Sequence, residues 1–373
     1  MFFTPMLPFP TGSGSAIRAS VALEILAERH RVFVVNTGIW GSRPIFNEAW
    51  VRKRAAGYTE FPAQADAGMI DRLVRETFSG AKFAGVYTFR LCMAPLALQV
   101  LARLGAPRPI AVLDLDDDEL GRAERFLPLR EASGDQERAA RERAELPRLQ
   151  VYYKMFLPRF DVTLLAAPKD RDAFAGRFPQ QKFAHVRNVA RAAILADRNP
   201  DLHRLLFVGG LDYLPNEDGI VYFCESILPV LRASGTACSV RVVGPGAPAR
   251  VRALSRIPEV QIGGMVADLA PEYAQAGVVI VPLRAGSGTR LKILEAVSHR
   301  RPVVSTSIGA EGLELQHEEH ILIADTPEEF AAACARLMED GALRSRLVER
   351  ASAWLSATHS MEQVRAELHA LYP

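Results

Sequence analysis

Lysine is scarce in this chain. Only six of its 45 cationic side chains are lysine and the rest are arginine, so a lysine inside a motif carries weight. Cysteine is scarcer still: Cys92, Cys224, Cys238 and Cys334 form no CxxC pair and have no histidine cluster nearby, which excludes a disulfide framework and zinc-type spacing. Scattered thiols of this kind suit a reducing cytoplasm. No apolar run approaches the roughly 20 residues needed to span a bilayer. The start, MFFTPMLPFPTGSG, lacks the basic head and long apolar middle of a signal peptide, so a cytoplasmic location is expected. Charge of one sign is not in excess either: the formal net charge is +2 and the pI about 8.4, so composition calls for no polyanion and nucleic acid is not an expected partner.

What is present is an ordinary globular composition, 49% hydrophobic and 24% charged, spread over 373 residues, which is room for two domains with separate cores. Strand-like and helix-like runs alternate twice. In the first half strands are expected at 2–6, 31–37, 85–89, 109–115, 162–167 and 183–187. The clearest helix covers 15–30, with Val21, Ile25 and Leu26 on one side. Periodicity fades across 190–203, around Asn199-Pro200. The alternation then restarts, with strands at 204–210, 238–244, 260–264, 278–282, PVVST and 320–324, and helices near 217–233, 247–256, 267–276, 327–339 and 342–356. This pattern predicts an α/β protein of two doubly wound, Rossmann-like parallel sheets, facing each other with a ligand cleft outside the carboxyl ends of the strands. The expected domains are 1–195, 196–357 and a carboxyl-terminal segment, 358–373.

The stretch VPLRAGSGTRLKILEAVSHRRPVVSTSIGAEGL, residues 281–313, carries the most chemistry. A β-branched run ends at Pro282. Gly286 and Gly288 allow the backbone close to a ligand, Ser287 or Thr289 can cap the next helix, and Leu291, Leu294 and Val297 mark that helix's buried side. HRRP then closes the helix and PVVST restarts a strand, making one βαβ unit. Free N–H groups near 289–291, with Arg290 and Lys292 beside them, suit a phosphate. Glu295, one turn further in, suits sugar hydroxyls. The same pattern also occurs in βα turns that bind nothing, where Arg290 and Lys292 would be solvated helix charges.

In order along the chain, PFPTGSGSAIR, LFVGGLDYLPN, RVVGPG, VQIGGMVADLAPEYAQAGVVIVPLRAGSGTRLKILEAVSHRRPVVST and GAEGL resemble the retaining glycosyltransferases of family 4, with the GT-B fold. The resemblance covers most of the chain and is strongest from about 203 to 325. It implies a donor site at Gly286, Ser287, Gly288, Thr289, Arg290, Leu291, Lys292 and Glu295, with Glu295 holding the ribose. Two departures stand out. Ser287 replaces the first glutamate of the family's pair, which normally touches the transferred sugar, and Gly210 replaces an arginine that grips the diphosphate with a nearby lysine. Arg290 and Lys292 are expected to supply that charge instead. In the first half Gly14 and Ser15 match the family's paired glycines and Arg18 an arginine often found there, which makes TGSGSAIR a second phosphate-approaching loop; a turn needing positive φ at Gly12 is the plainer reading. Asp116 falls where many relatives carry a histidine near the anomeric carbon, either steadying positive charge there or capping a helix.

LDLDDDE, residues 113–119, imitates the metal motif of the other large glycosyltransferase fold, but that fold has one nucleotide-binding domain and this chain reads as two, so no metal site is expected. HEEH, 317–320, lies where turn passes into strand and is discarded as a metal motif. The charge-rich segment 121–159 reads as a solvated helix pair beside the first domain, or as a surface touching a lipid-linked acceptor or an anionic membrane. The carboxyl-terminal segment would, by the resemblance, cross back to the first domain. The implied activity is transfer of a sugar from a nucleoside-diphosphate sugar to an acceptor hydroxyl with retention of configuration, in bacterial glycan or glycoconjugate biosynthesis. It is metal-independent and uses no cofactor beyond the donor, whose base can be uridine or guanosine. The acceptor class is glycan, lipid-linked or small-molecule, and the expected location is the cytoplasm, with peripheral contact at the inner face of the membrane. A sugar-nucleotide epimerase and a catalytically silent GT-B binding subunit are the alternatives.

Overall fold

In the computed structural model the described residues are 1–40, 45–78, 81–132, 134–191 and 200–372. They form two compact units. The first comprises Met1–Leu120, Ala144–Val189 and the residues from Met361 onward; the second comprises Gly121–Arg143 and Ala190–Ser360. The boundary read from the sequence at 195/196 lies outside the described residues.

The first unit holds seven strands, β1 Phe2–Thr4, β2 Phe33–Asn36, β3 Gly57–Glu60, β4 Gly85–Phe89, β5 Ile110–Asp116, β6 Val162–Leu165 and β7 Phe183–His185. All pair in parallel, in the order β3-β2-β1-β4-β5-β6-β7. Adjacent residues of one strand enter opposite cores, Phe2 on one face of the sheet and Phe3 on the other, and both are fully buried. That is the signature of a sheet covered by helices on both faces. Helix Gly14–Arg29 starts at Ser13, whose hydroxyl accepts from the Ala16 N–H at 3.3 Å. Helix Met361–His369 packs against it, with Val364 and Leu368 in the core, His369 Nε2 3.1 Å from the Ile25 carbonyl and Arg365 paired to Glu28.

The second unit repeats the plan with β8 Asp201–Val208, β9 Ser239–Val243, β10 Val260–Ile262, β11 Ala276–Val281, β12 Val303–Ser305 and β13 Leu322–Ile323, again parallel, in the order β10-β9-β8-β11-β12-β13. The strand order reverses between β8 and β11, so the C-terminal ends of those two strands flank the natural ligand crevice of such a sheet. Most expected elements appear within a few residues of their sequence bounds. The helix read as continuous over 217–233 is instead Leu214–Tyr222, a π-helical turn over Phe223–Ile227, and Leu228–Ala233. Pro229 is the physical reason: it has no N–H to bond the carbonyl four residues back, and a widened turn absorbs the mismatch.

The helices Glu119–Ala132 and Gln136–Phe156 depart from the simple picture of a solvated pair beside the first domain. Residues 121–143 group with the second unit, because Phe126 is buried against Leu214 and Ala285, stacks edge-on to Tyr213, and is flanked by the ion pair Arg125–Glu311 at 3.1 Å. Tyr153 and Phe156 instead enter the first unit's core, while Val151, Tyr152 and Met155 stay exposed.

One residue tests the closeness of β8 and β11. A Cβ added to Gly277 would stand 2.4 Å from the Leu202 carbonyl oxygen and 2.6 Å from that of Asp201, so backbone must move to admit it. Gly277→Ala is expected to lower unfolding stability by roughly 2–4 kcal/mol, measured by urea titration; a change within about 0.5 kcal/mol would contradict this packing.

Candidate functional site

In the second unit three loops meet at the carboxyl ends of β8, β9 and β11. The Gly209 N–H donates to the Val243 carbonyl at 2.9 Å and the Leu211 N–H to that of Pro245 at 2.7 Å. A Cβ on Gly244 would lie 1.7 Å from the Gly209 oxygen. Glycine at 244 is therefore a packing requirement, and it brings the loop after β9 directly against the loop after β8.

Gly210, where the resemblance to family 4 leads to the expectation of an arginine, has no side chain, and its carbonyl accepts from Asn216 Nδ2 at 2.9 Å. The oxygen of the same amide, Oδ1, accepts from Lys292 Nζ at 2.6 Å. Asn216 thus ties the loop after β8 to the helix after β11. The ammonium of Lys292 also lies 4.4 Å from the centre of the Phe207 ring. Burial first, and then the nearby Arg290 charge, push the Lys292 pKa down to about 7, with Glu295 pulling the other way.

The loop of 286–289 precedes the helix Leu291–Ser298. Its cap is Arg290, whose side chain makes no capping hydrogen bond, so neither Ser287 nor Thr289 is the cap expected from the sequence. The Leu291 and Lys292 N–H groups lie in that first turn, where an α-helix has no internal acceptors. Arg290 does not face outward as a phosphate cation. It is buried, with its guanidinium donating to the carbonyls of Ser287, Gly288 (2.9 Å) and Ile308 (3.4 Å). Its work is to hold the loop, and at Gly286 a Cβ would come within 2.4 Å of it. Ser287 is buried in that loop, and Gly288 takes the left-handed conformation at φ 66° that glycine tolerates. Glu295 lies one turn into the helix, and its Oε2 accepts from the Tyr273 hydroxyl at 3.0 Å. Burial raises its pKa, and the Tyr273 bond and Lys292 oppose the rise.

The first unit has its own polar cluster at the ends of β4 and β5. Arg18 is buried there. Its Nε donates to both oxygens of Asp114, at 3.1 and 2.9 Å, and its Nη1 to the Val186 carbonyl and Asn188 Oδ1. Burial works against the Arg18 charge, but Asp114 and Asp116 outweigh it and the pKa is raised. In this structure the Arg18 guanidinium faces Asp114, Val186 and Asn188, whereas the sequence led to the expectation of a phosphate. Tyr87 also donates to Asp114. Asp116 receives longer contacts, 3.5 Å from Ser15 Oγ, from Asn188 Nδ2 and from Arg90 Nη1. Burial foremost raises its pKa, against Arg18 and Arg90. Asp116 and Arg90 both adopt positive φ, 68° and 72°, a strained conformation for residues with a Cβ. Gly14 and Ser15 open the helix at this cluster, and Gly12 turns at φ 103° in open space, as the plainer reading of that loop required.

Tyr273, Asn216, Tyr87, Arg90 and Asn188 were not singled out in the sequence. None stands within ten residues of the partner that reveals it, apart from Asn216 beside Gly210, so local spacing carries no signal for them. The histidines of HEEH cap a turn: His317 Nδ1 accepts from the Ile323 N–H and His320 Nδ1 from that of Gln316. Among the described residues no helix is long and apolar enough to cross a membrane.

The fold and the loop–helix site define a class, the two-sheet GT-B architecture of glycosyltransferases. Solved structures sharing it include sucrose-phosphate synthase from Thermosynechococcus elongatus, with TM-score 0.71 at 15% identity, covering 100% of this chain and 97% of that one. HepE from Anabaena in complex with UDP and glucose gives TM-score 0.70 at 12% identity, covering 99% and 98%. WaaG, a glycosyltransferase involved in lipopolysaccharide biosynthesis, gives 0.63 at 14%, covering 99% and 98%. At these identities the likeness establishes the fold. Within the chain, residues 203–340 match the family model described as Glycosyl transferases group 1. An uncharacterized 44.6 kDa protein in the cps region of Klebsiella pneumoniae is 28% identical over 142 residues, 35% of this chain and 36% of that protein. Glycosyltransferase 1 domain-containing protein 1 of Xenopus tropicalis is 33% identical over 78 residues, 21% and 23% of the respective chains. The matches thus span about a third and a quarter of those two proteins. Together the matches support a group 1 glycosyltransferase.

The buried pair Arg18–Asp114 generates a stability prediction. Asp114→Asn keeps the shape but leaves a buried guanidinium without its carboxylate, and is expected to lower stability by about 3–5 kcal/mol in urea unfolding, whereas a combined Arg18→Met/Asp114→Leu exchange recovers part of the loss. An unchanged midpoint in Asp114→Asn would show that the pair contributes nothing.

Proposed function

We propose that the protein transfers a glycosyl group from a nucleoside-diphosphate sugar to an acceptor hydroxyl with retention of configuration, as a family 4 enzyme of glycan or glycoconjugate assembly. The observation that carries this reading is the pairing, on one helix at the β8/β11 switch point, of an uncapped first turn holding Lys292 with Glu295 one turn beyond it. A diphosphate meets N–H groups and an ammonium; ribose hydroxyls meet a carboxylate. In the transfer the bond from the anomeric carbon to the diphosphate oxygen breaks, the bond to the acceptor oxygen forms, and the acceptor proton passes to the departing diphosphate. Asp116 is the proposed carboxylate for positive charge developing on the sugar. The helix start and Lys292 supply the stabilisation that a divalent cation gives elsewhere, so the proposed reaction needs no metal. A cytoplasmic site of action and a glycan, lipid-linked or small-molecule acceptor complete the proposal. The cps-region relative and the involvement of WaaG in lipopolysaccharide biosynthesis favour a glycan or glycolipid.

Two outcomes test it. Glu295→Ala removes the acceptor for the ribose hydroxyls and is expected to weaken calorimetric binding of UDP or GDP, whichever the wild type binds, at least tenfold while the fold survives; unchanged affinity would overturn the assignment. Lys292, with its pKa lowered to about 7, is largely neutral at about pH 8, and a bound diphosphate anion favours its charged form. Binding at about pH 8 should therefore take up a proton from solution, seen as a dependence of the binding heat on buffer, because a nucleoside diphosphate is already deprotonated there. Lys292→Met should abolish the uptake. Buffer-independent heats in the wild type would remove Lys292 from the diphosphate.

A further inference from the structure

Tyr273 is fully buried on the short helix Ala270–Gln275 and is gripped from two sides by the helix that carries Glu295. Its hydroxyl donates to Glu295 Oε2 at 3.0 Å. Its ring lies flat on His299, with centres 4.6 Å apart and planes 10° from parallel. Residues 295 and 299 are one turn apart on the same side of their helix, so the phenol spans a two-point clamp. The His299 N–H also closes the helix on the Glu295 carbonyl at 3.0 Å. Burial holds the phenol proton in place far above neutral pH, which makes the hydroxyl a permanent donor. Glu295 is the opposite case: burial favours its neutral form, and the bond from Tyr273 heads the influences that keep it ionised. Among the described residues Oε1 of Glu295 has no hydrogen bond, so one oxygen is committed and the other is available.

We propose that Tyr273 is the positioning residue of the ribose grip: it fixes Glu295 in one orientation, holds it as a carboxylate, and leaves Oε1 to accept from the ribose diol of the donor. This rests on the reading of Glu295 given above. Discrimination of a ribonucleotide from its 2′-deoxy counterpart then depends on a tyrosine that touches no ligand. The linkage has a definite sign. Removing a donor to a carboxylate raises that carboxyl's pKa, so a Tyr273→Phe protein loses ribose recognition at a higher pH than the wild type as the solution is acidified.

The experiment is calorimetric titration of the full chain with UDP and GDP and their 2′-deoxy analogues, between about pH 5 and 8. The proteins compared are wild type, Tyr273→Phe, which keeps the ring on His299, and Glu295→Gln, which keeps the side-chain shape. Expected in Tyr273→Phe is a roughly tenfold weaker ribonucleotide affinity at neutral pH. The preference over the 2′-deoxy form shrinks, the acid-side loss moves to higher pH, and thermal unfolding stays close to that of the wild type. If Tyr273→Phe keeps the wild-type preference and pH profile while Glu295→Gln loses the preference, Tyr273 has no positioning role and the ribose reading of Glu295 stands. If Glu295→Gln also keeps the preference, or the wild type binds neither nucleotide, both readings fall.

Discussion

The second unit turns on a half-buried ammonium whose close acceptor among the described residues is a neutral amide. Lys292 sits 2.6 Å from Asn216 Oδ1 and above the Phe207 ring, with Arg290 adding a like charge nearby. Burying a charge with no countercharge in contact is costly, and although Glu295 opposes the shift the group responds by favouring its neutral form. The surroundings explain how it is held there. Asn216 reaches Lys292 because its other end is anchored on Gly210, and the loop of Gly210 can approach because Gly209 and Gly244 have no Cβ to collide with Lys292, Asn216 and each other's backbone. An anion seated at the uncapped start of the helix Leu291–Ser298 would provide the missing countercharge. The proposed diphosphate is the ligand that the electrostatics of this corner lack.

The polar cluster of the first unit solves the opposite problem. There the charges are mutually satisfied: Arg18 with Asp114, and Arg90 with Asp117 at 2.6 Å and Glu119 at 3.3 Å. Within this cluster Asp116 is the exception. Its contacts with Ser15, Asn188 and Arg90 are all near 3.5 Å, its backbone is strained, and the arginines that oppose its protonation are spent mainly on other carboxylates. Strain of this kind persists where surrounding structure overdetermines it, and it gathers at functional positions. The geometry distinguishes Asp116 from its neighbours: Asp114 faces Arg18 and Tyr87, and Asp117 faces Arg90.

Much of the fold was legible because local chemistry and tertiary structure agree. The helix Pro327–Glu339 announces itself with Thr326, Pro327 and Glu329, a reciprocal capping box, and its bounds match the sequence reading. β11 was visible as an unbroken β-branched run because every one of its residues is buried. β3, by contrast, is a half-exposed edge strand reading GYTE, too short and too polar to show. Site residues followed a similar rule. Glu295 and Lys292 could be singled out because they share one helix with the glycine loop. For Arg18 and Arg290 the sequence shows that a cation lies near a loop, but spacing cannot reveal where it points. For Arg18 the direction is set by Asp114, 96 residues away in sequence, and for Arg290 by the loop's own carbonyls.

The two departures from the family pattern acquire a common logic in this light. Where the family resemblance leads to the expectation of an arginine after the first glycine of β8's loop, Gly210 has no side chain, and its carbonyl is used to fasten Asn216, which in turn holds Lys292. Where relatives place the first glutamate of the pair, Ser287 is a short buried residue whose carbonyl accepts from Arg290. A glutamate at 287 would put a second carboxylate into a loop already stiffened by a buried arginine, and would draw that guanidinium away from the carbonyls it now bonds. Serine leaves Arg290 to the backbone. The cation left in this corner is Lys292, one of the chain's six lysines, whose compact ammonium has one amide oxygen and one aromatic face as its contacts.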